Sequence, residues 1–385
     1  MPTPAAPTAV DDQVRIVIDT APKYFKGESD LTMRNHKMLR ILRQYGLIEF
    51  NANEYSLTWN VKLREPPVQT ATDGARIEFN STVTDEQLTV DRRGYRATDK
   101  MTELEWLSNM GPRAIVNRYQ RLTKDVKDSF DKLIAERFYV DANAAGNTND
   151  YQGVGTILGR DTGFAVTATD RCAVPGVSYA GHNTDLANFG GTWDAAPSAG
   201  EIYNAALGNA YPWGTGSSEY DAMSPVLCNW SSTKWGTNSA KFEDNIELIV
   251  AFLTVVMPNR TGFMNGESAP MLIMCDPNLF MKAKNSFRDR NRQIVPVSHQ
   301  NDLGIPGGSL NIDGAYLCPD YSLGGTDECI VLCPQYMEMF NIHSDLYKVY
   351  GPQWTLTDAA YLLYASAWGN YRFQPKYFAK IAAYA

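Results

Sequence analysis

Residues 111–145 read GPRAIVNRYQRLTKDVKDSFDKLIAERFYVDANAA and predict one long helix. Pro112 suits the first helical position, where its missing N–H costs no hydrogen bond. Apolar residues recur at spacings of three and four and form one stripe: Ile115, Tyr119, Leu122, Val126, Phe130 and Leu133. No Gly or Pro follows Pro112 up to position 145, so we expect a helix of about 30 residues, or roughly 45 Å. This segment alone allows two interpretations. The helix is either a spine on which other layers of structure lie, or an ordinary long helix of an α+β enzyme.

A long two-stranded ribbon is predicted before this helix. Residues 55–63 (YSLTWNVKL) alternate apolar and polar side chains, which is the pattern of a strand with one buried face. Residues 64–75 (REPPVQTATDGA) form a turn-rich tip, and residues 76–79 and 86–90 form the return strand. Because an isolated ribbon is marginally stable in water, we expect it to lie on another surface, with a neighbouring subunit as the natural candidate.

Composition excludes several classes of protein. The 385 residues can form about two or three domains, and 44% hydrophobic and 20% charged residues are ordinary for a globular protein. The net charge of −8 argues against a chain that wraps nucleic acid through a basic surface, and against a membrane-surface binder. No apolar run approaches the ~20 residues needed to span a bilayer. The first residues (MPTPAAPTAVDD) lack a signal-peptide pattern, so we expect a cytosolic protein.

The sequence predicts no catalytic residue, no cofactor and no metal site. Cys318, Cys329, Cys333 and His343 can be drawn as a zinc set, but their spacings match none of the usual frameworks. The six cysteines include no CxxC pair, and we expect buried free thiols. The four histidines are isolated along the chain, without HExxH or HxH.

The rest of the chain predicts a mixture of helices and strands. Helices are expected over 29–43, closed by Gly46, and over 242–256, 276–287 and 359–366. Strands are expected over 154–158, 270–275, 311–317 and 328–332, and through most of the tail from 336 to 385. Between 144 and 239, Gly, Asn, Thr, Ser and aromatic residues dominate and predict loop-rich β structure.

This order of elements resembles a tailed-phage major capsid protein of the Hong Kong 97 type. The resemblance covers nearly the whole chain and is carried by residues 55–90 as the extended loop, 112–143 as the spine helix, 269–287 as the axial strand and helix, and 369–375 as the last strand. It implies an α+β fold of four parts. These are an N-terminal arm and short helix (1–50), an extended β-hairpin loop (51–97), a peripheral domain with the spine helix (98–150 and 337–385), and an axial domain (151–336) with a loop-rich β insertion around 160–240.

The resemblance also implies a mechanical function. Copies would associate as hexamers and pentamers of an icosahedral shell that encloses the double-stranded DNA genome of a tailed bacteriophage, in a virion assembled in the bacterial cytoplasm. The extended loop of each copy would lie across the next subunit. Charged residues flanking the hairpin are candidates for inter-subunit ion pairs, since Arg makes bidentate bonds with carboxylates: Arg64, Glu65, Arg76, Arg92, Arg93 and Arg96. Alternatively, several of these arginines merely solubilise an edge strand.

Partners follow from the same resemblance. Some members of the family join the loop to a neighbour by a Lys–Asn isopeptide bond, but no Lys occurs between Leu63 and Asp99. We therefore expect a non-covalent shell. A separate scaffolding protein, a portal and, in some shells, a decoration protein are the expected partners. The packaged DNA would be enclosed without sequence-specific binding, and no membrane is involved.

Two other functions stay open at this point. An encapsulin-type compartment shell would share the fold and hold protein cargo, which a docking tag on a neighbouring gene product would indicate. A soluble carbohydrate-active hydrolase would use aromatic residues within 186–235 as a sugar-binding face, and turnover of polysaccharide by a monomer would support it.

Overall fold

The computed structural model describes residues 37–52, 55–62, 85–104, 112–159, 172–173, 178–183, 225–229, 271–289, 310–312, 314–357 and 359–382, with helical residues also at 246–247, 249–251 and 253–254. The helices are α1 (Lys37–Gln44), α2 (Pro112–Arg137), α3 (Val154–Leu158) and α4 (Pro277–Asp289). The strands are β1 (Ile48–Glu49), β2 (Ser56–Lys62), β3 (Asp85–Asp91), β4 (Arg93–Thr102), β5 (Cys172–Ala173), β6 (Ser178–Tyr179), β7 (His182–Asn183), β8 (Val226–Asn229), β9 (Met271–Cys275), β10 (Leu310–Ile312), β11 (Ala315–Pro319), β12 (Glu328–Leu332), β13 (Met337–Asn341), β14 (Lys348–Thr355), β15 (Ala360–Phe373) and β16 (Ala379–Ala382).

The first sheet is built around β15. Its strands run in the order β1-β13-β15-β14, and β4 pairs with the other edge of β15. Alternate residues of β15 enter the core, including Leu363, Tyr371 and Phe373. The helix predicted over 359–366 is therefore wrong. Ala and Leu favour a helix there, but hydrogen-bonded neighbours on both edges override that weak preference.

The second sheet has seven strands in the order β10-β11-β9-β12-β16-β8-β5. Every residue of β9 is buried, as predicted for this strand, and α4 follows with Leu279, Phe280 and Ala283 on its inner face. The single strand predicted over 311–317 is wrong, because β10 and β11 form a hairpin that turns at Gly314, with φ of 85°. The Asp-Gly pair at 313–314 is a typical hairpin signal.

The long helix is confirmed as α2, which begins at Pro112 and has 26 residues, or about 39 Å. Val126 and Phe130 are buried on the predicted stripe; the side chains of 115, 119 and 122 lie outside the described residues. The helix ends at Arg137, before the expected position 143. Phe138 and Tyr139 turn into the core after Arg137, and the Asp141 carboxylate accepts a hydrogen bond from the Asn143 N–H, which favours a turn.

The shorter helices match the sequence in part. Met38, Leu39 and Leu42 of α1 are buried, and Gly46 follows with φ of 62°, as expected for a residue that closes a helix. The expected start at position 29 lies outside the described residues. Residues 154–158, predicted as a strand, form the short buried helix α3. Among the described helices, none is long and apolar enough to cross a bilayer.

Two hydrophobic cores lie on the two faces of the second sheet. One core includes α1, α2, the first sheet and one face of the second sheet, and the other lies between the opposite face and α4. Five cysteines are buried and are not joined in disulfides, as expected: Cys228, Cys275, Cys318, Cys329 and Cys333. The side chain of Cys172 lies outside the described residues.

Two strands cross the boundaries drawn from the sequence. β4 is continuous from Arg93 to Thr102 and pairs with the first sheet, although the extended loop was expected to end at position 97. β16 pairs with β12 and β8 of the second sheet, although 337–385 was assigned to the peripheral domain. The division into arm, loop, peripheral domain and axial domain stays a prediction.

Candidate subunit-contact surfaces

The ribbon, β2 and β3, has one apolar and one polar face. The two strands pair antiparallel from Ser56 opposite Asp91 to Lys62 opposite Asp85. Leu88 and Val90 are buried in the core, Trp59 and Val61 pack against it, and Leu57 is buried on the same face. The other face is polar and exposed. The alternation therefore predicted the described part of the ribbon correctly.

The surface that the ribbon covers differs from the expectation. The apolar face of the described part packs on the chain's own core, because Leu88 and Val90 belong to the same buried cluster as residues of α1, α2 and the first sheet. The tip predicted over 64–75 lies outside the described residues. A contact between that tip and a neighbouring copy stays a prediction.

Asn370 joins the base of the ribbon to the body. It is fully buried in β15, and its Nδ2 donates to the backbone oxygen of Asp91, the last residue of β3, at 2.6 Å. Its Oδ1 accepts from the backbone N–H groups of Gln152 and Tyr371, each at 2.8 Å. One side chain thus fixes three segments where the ribbon leaves the body.

Three buried tyrosines, here called the base tyrosines, surround this junction: Tyr95, Tyr151 and Tyr371. The Tyr95 hydroxyl accepts from the Tyr151 N–H at 3.0 Å, and the two rings lie 4.5 Å apart. Burial raises the pKa of each of the three hydroxyls, because the ionised phenolate would lose its hydration. All three hydroxyls stay neutral. The Tyr95 hydroxyl serves as a hydrogen-bonding group, whereas Tyr151 and Tyr371 contribute mainly through the packing of their rings.

Tyr179 completes the edge of β15 beyond the end of β4. β4 pairs with β15 only as far as Gly369. The Tyr179 hydroxyl donates to the backbone oxygen of Tyr371 at 3.1 Å and accepts from the N–H of Phe373 at 3.0 Å. A side chain therefore takes the place of a strand in satisfying these buried backbone groups.

A charged cluster lies beside the ribbon. The Arg372 guanidinium forms an ion pair with Glu338 and lies 6.0 Å from the centre of the Trp59 ring and 5.3 Å from that of Phe340. Burial raises the pKa of the Glu338 carboxyl, and Arg372 opposes that shift. The cluster ties β13, β15 and the ribbon together.

The candidate ion-pair residues are only partly described. Arg64, Glu65 and Arg76 lie outside the described residues, and Arg92 is partly buried between β3 and β4. Arg93 donates to the backbone oxygen of Asp150 at 2.7 Å, and burial lowers the pKa of its guanidinium. Arg96 is exposed and lies over the Trp368 ring, 5.3 Å from its centre. The structure thus gives Arg93 and Arg96 contacts within the chain, and an inter-subunit role for any of the six residues stays a prediction.

An exposed apolar surface lies at the end of the first sheet. This hairpin end comprises Leu104, Trp354 and Leu356, whose exposed fractions are 62%, 43% and 90%. Leu362 lies on the opposite face of the sheet, because it pairs with Gln353 whereas Trp354 pairs with Tyr361. The Glu103 N–H donates to the Ala359 oxygen at 3.1 Å, which places Leu104 beside the turn between β14 and β15. Apolar side chains grouped in this way on a surface are typical of protein–protein contacts. Neither this surface nor the Asn370 junction was predicted from the sequence.

Comparison with known proteins finds similarity in three-dimensional structure. No protein-family model and no curated protein sequence matches the chain. The chain is similar to one in the capsid asymmetric unit of cyanophage A-1(L), with a TM-score of 0.54 and 12% identity over 94% of this chain and 98% of that one. A capsid chain of Myoviridae phage XM1 gives a TM-score of 0.49 at 10% identity, over 94% of this chain and 98% of that one. A capsid chain of a native GTA particle gives a TM-score of 0.48 at 12% identity, over 94% of this chain and 96% of that one. The likeness to the cyanophage A-1(L) chain shows that this chain has the fold of a phage capsid protein, and the resemblance drawn from the sequence is confirmed at the level of fold.

Proposed function

We propose that the chain is the major capsid protein of a tailed bacteriophage, and that its copies associate as hexamers and pentamers of an icosahedral shell around a double-stranded DNA genome. The fold likeness to the cyanophage A-1(L) capsid chain, which extends over 94% of this chain and 98% of that one, carries the proposal. The role is structural rather than enzymatic. The virion is the site of action, and assembly takes place in the bacterial cytoplasm.

The junction at Asn370 supports this role. A two-stranded ribbon is marginal in water by itself, but the buried side chain of Asn370, hydrogen-bonded to the Asp91 oxygen and the Gln152 N–H, fixes the direction in which the ribbon leaves the body. A fixed base lets the polar tip over 64–75 reach a neighbouring copy without a large loss of conformational entropy. In this proposal Arg64, Glu65 and Arg76 contribute ion pairs at that contact, and Arg92, Arg93 and Arg96 lie at its inner end.

The hairpin end supports a second contact between copies. Leu356 is 90% exposed and lies at the turn between two strands of the first sheet. Covering one such side chain is worth about 1.5–3 kcal/mol, and many modest contacts of this size sum to a stable closed shell. Both contacts are non-covalent.

The remaining partners belong to the same proposal. A separate scaffolding protein, a portal and, in some shells, a decoration protein act with the chain. With a net charge of −8, the shell encloses DNA without gripping it. The division into arm (1–50), extended loop (51–97), peripheral domain (98–150 and 337–385) and axial domain (151–336) is proposed with it.

The proposal is tested by co-expressing the chain with its scaffolding protein and measuring sedimentation and negative-stain images. We expect closed shells from the natural sequence. Leu356→Ser should keep its melting temperature, because this side chain is 90% exposed in the single chain, but it should reduce the yield of shells at least tenfold, the effect of losing about 1.5 kcal/mol per contact. Tyr321→Ser, which changes an exposed aromatic residue elsewhere, is the matched control and should assemble normally. Monomers alone, under every condition, would refute the proposal.

A further inference from the structure

Two cysteines face each other across the middle of the second sheet. Cys275 in β9 lies directly opposite Cys329 in the antiparallel strand β12. Both side chains are fully buried, and the two thiols are hydrogen-bonded to each other. Neither thiol has a role in the proposed function.

The backbone around this pair has the geometry that a disulfide requires. The Asp276 N–H donates to the Glu328 oxygen at 3.0 Å, so the neighbouring pair of residues is hydrogen-bonded. Because bonded and non-bonded pairs alternate along an antiparallel ladder, Cys275 and Cys329 occupy a non-bonded pair, where the Cα atoms are typically about 4.5 Å apart. Consistently, the Cys275 oxygen accepts a hydrogen bond from the Asp320 N–H, on the side away from β12. Disulfides span Cα distances of about 4.4–6.8 Å.

We propose that Cys275 and Cys329 are the site of a reversible disulfide that joins β9 to β12. The inference does not depend on assembly into a shell. With a peroxide as the oxidant, one thiolate attacks the O–O bond, forming a sulfenic acid and releasing hydroxide. The second thiol then attacks that sulfur and displaces its oxygen as water. The two thiols lose two electrons, and one molecule of hydrogen peroxide becomes two of water.

Burial makes the reaction conditional. Desolvation raises the pKa of the Cys329 thiol, so in the closed sheet it keeps its proton and is a poor nucleophile. Oxidation then takes place when the strands open locally or while the chain folds. In a reducing cytosol the pair stays as thiols, whereas an oxidising medium outside the cell favours the bond. The finished bond closes a long loop and restricts the unfolded chain.

The pair can be tested on the purified full-length chain. The protein is treated with hydrogen peroxide in urea below its unfolding transition, remaining thiols are alkylated in full denaturant, and non-reduced peptides are mapped by mass spectrometry. We expect one linked pair of peptides that contain Cys275 and Cys329, and dithiothreitol should release it. The oxidised chain should melt about 5 °C higher than the reduced chain, as expected for a bond that closes a loop of this length in a chain of this size.

Variants separate this pair from other buried thiols. Cys275→Ala should abolish both the linked peptides and the rise in melting temperature. Cys318→Ala is the matched control, because Cys318 is buried on the neighbouring strand β11 but lies opposite Met274 rather than a cysteine; it should behave like the natural sequence. The proposal is overturned if Cys275 and Cys329 in the natural sequence stay alkylatable, oxidise to sulfinic acid, or link to other cysteines. A bond that lowers the melting temperature would also overturn it.

Discussion

Replacing Asn370 by Ala should loosen the base of the ribbon. The side chain is fully buried and makes three hydrogen bonds, to the Asp91 oxygen and to the N–H groups of Gln152 and Tyr371. Each buried group left without a partner costs about 1–3 kcal/mol. With relaxation of the neighbouring backbone, we expect a total loss of about 3 kcal/mol in the free energy of unfolding. For a chain of this length, that corresponds to a melting temperature about 4 °C lower.

Calorimetry measures the loss, and hydrogen–deuterium exchange locates it. The amides of Gln152 and Tyr371 should exchange faster in Asn370→Ala, since both lose their acceptor. Asn60→Ala is the matched control, because Asn60 is exposed on the polar face of the ribbon, where substitutions usually change stability by under about 0.5 kcal/mol. If Asn370→Ala melts at the same temperature as Asn60→Ala, the reasoning about this junction is refuted.

Three further predictions concern the fold around this junction. Gly369→Ala should lower the melting temperature by several degrees in calorimetry, because an added Cβ would lie 2.2 Å from the backbone oxygen of Phe340 and strands β13 and β15 would have to separate. Tyr139→Phe removes the 2.8 Å hydrogen bond to the buried Asp320 carboxylate and should cost about 2 kcal/mol, measured from the urea midpoint; an unchanged midpoint would contradict it. The base tyrosines have pKa values raised in the folded state. Their burial therefore stabilises the folded chain fully at pH values below about 10, the pKa of tyrosine in the unfolded chain, and this stabilisation is lost as the pH rises above that value. A melting temperature that stays level from about pH 8 to about pH 11 would count against that burial.

Elements with one buried face were predictable from the sequence. The stripe of α2 and the alternation of the ribbon each have a regular period that indicates one buried side, and the continuous apolar run of β9 predicts a strand buried on both faces. Val126, Leu57 and Ile273 are buried as those patterns require. Secondary structure was therefore correct where local pattern and tertiary burial agree.

Prediction failed where tertiary contacts decide. Residues 154–158 form a buried helical turn although their composition favours a strand, and Gly155 has room for no Cβ because the Tyr139 oxygen lies 2.4 Å from that position. Residues 360–366 form a strand because β4 and β14 occupy both edges. Short apolar segments carry no reliable period, so packing selects their conformation.

The junction could not be found from one sequence. The sequence assigns residues 369–375 to a strand, but the two distant partners of Asn370, Gln152 and Asp91, are 218 and 279 residues away. Hydrogen bonds over such separations leave no local signal. The sequence does not show that Leu356 is exposed either, because the same tail also contains apolar residues that are buried in the core, such as Phe373.

The most direct test asks which chain the tip of the ribbon touches. A photo-reactive phenylalanine analogue is placed at Thr72, within the predicted tip, and the protein is assembled from equal parts of unlabelled and nitrogen-15-labelled chains before irradiation. If the ribbon grips a neighbour, cross-linked peptides will include mixed-isotope pairs in the statistical proportion. If every cross-link joins peptides of the same isotope, the tip lies on its own chain, and the account of this protein as an interlocking shell subunit is contradicted.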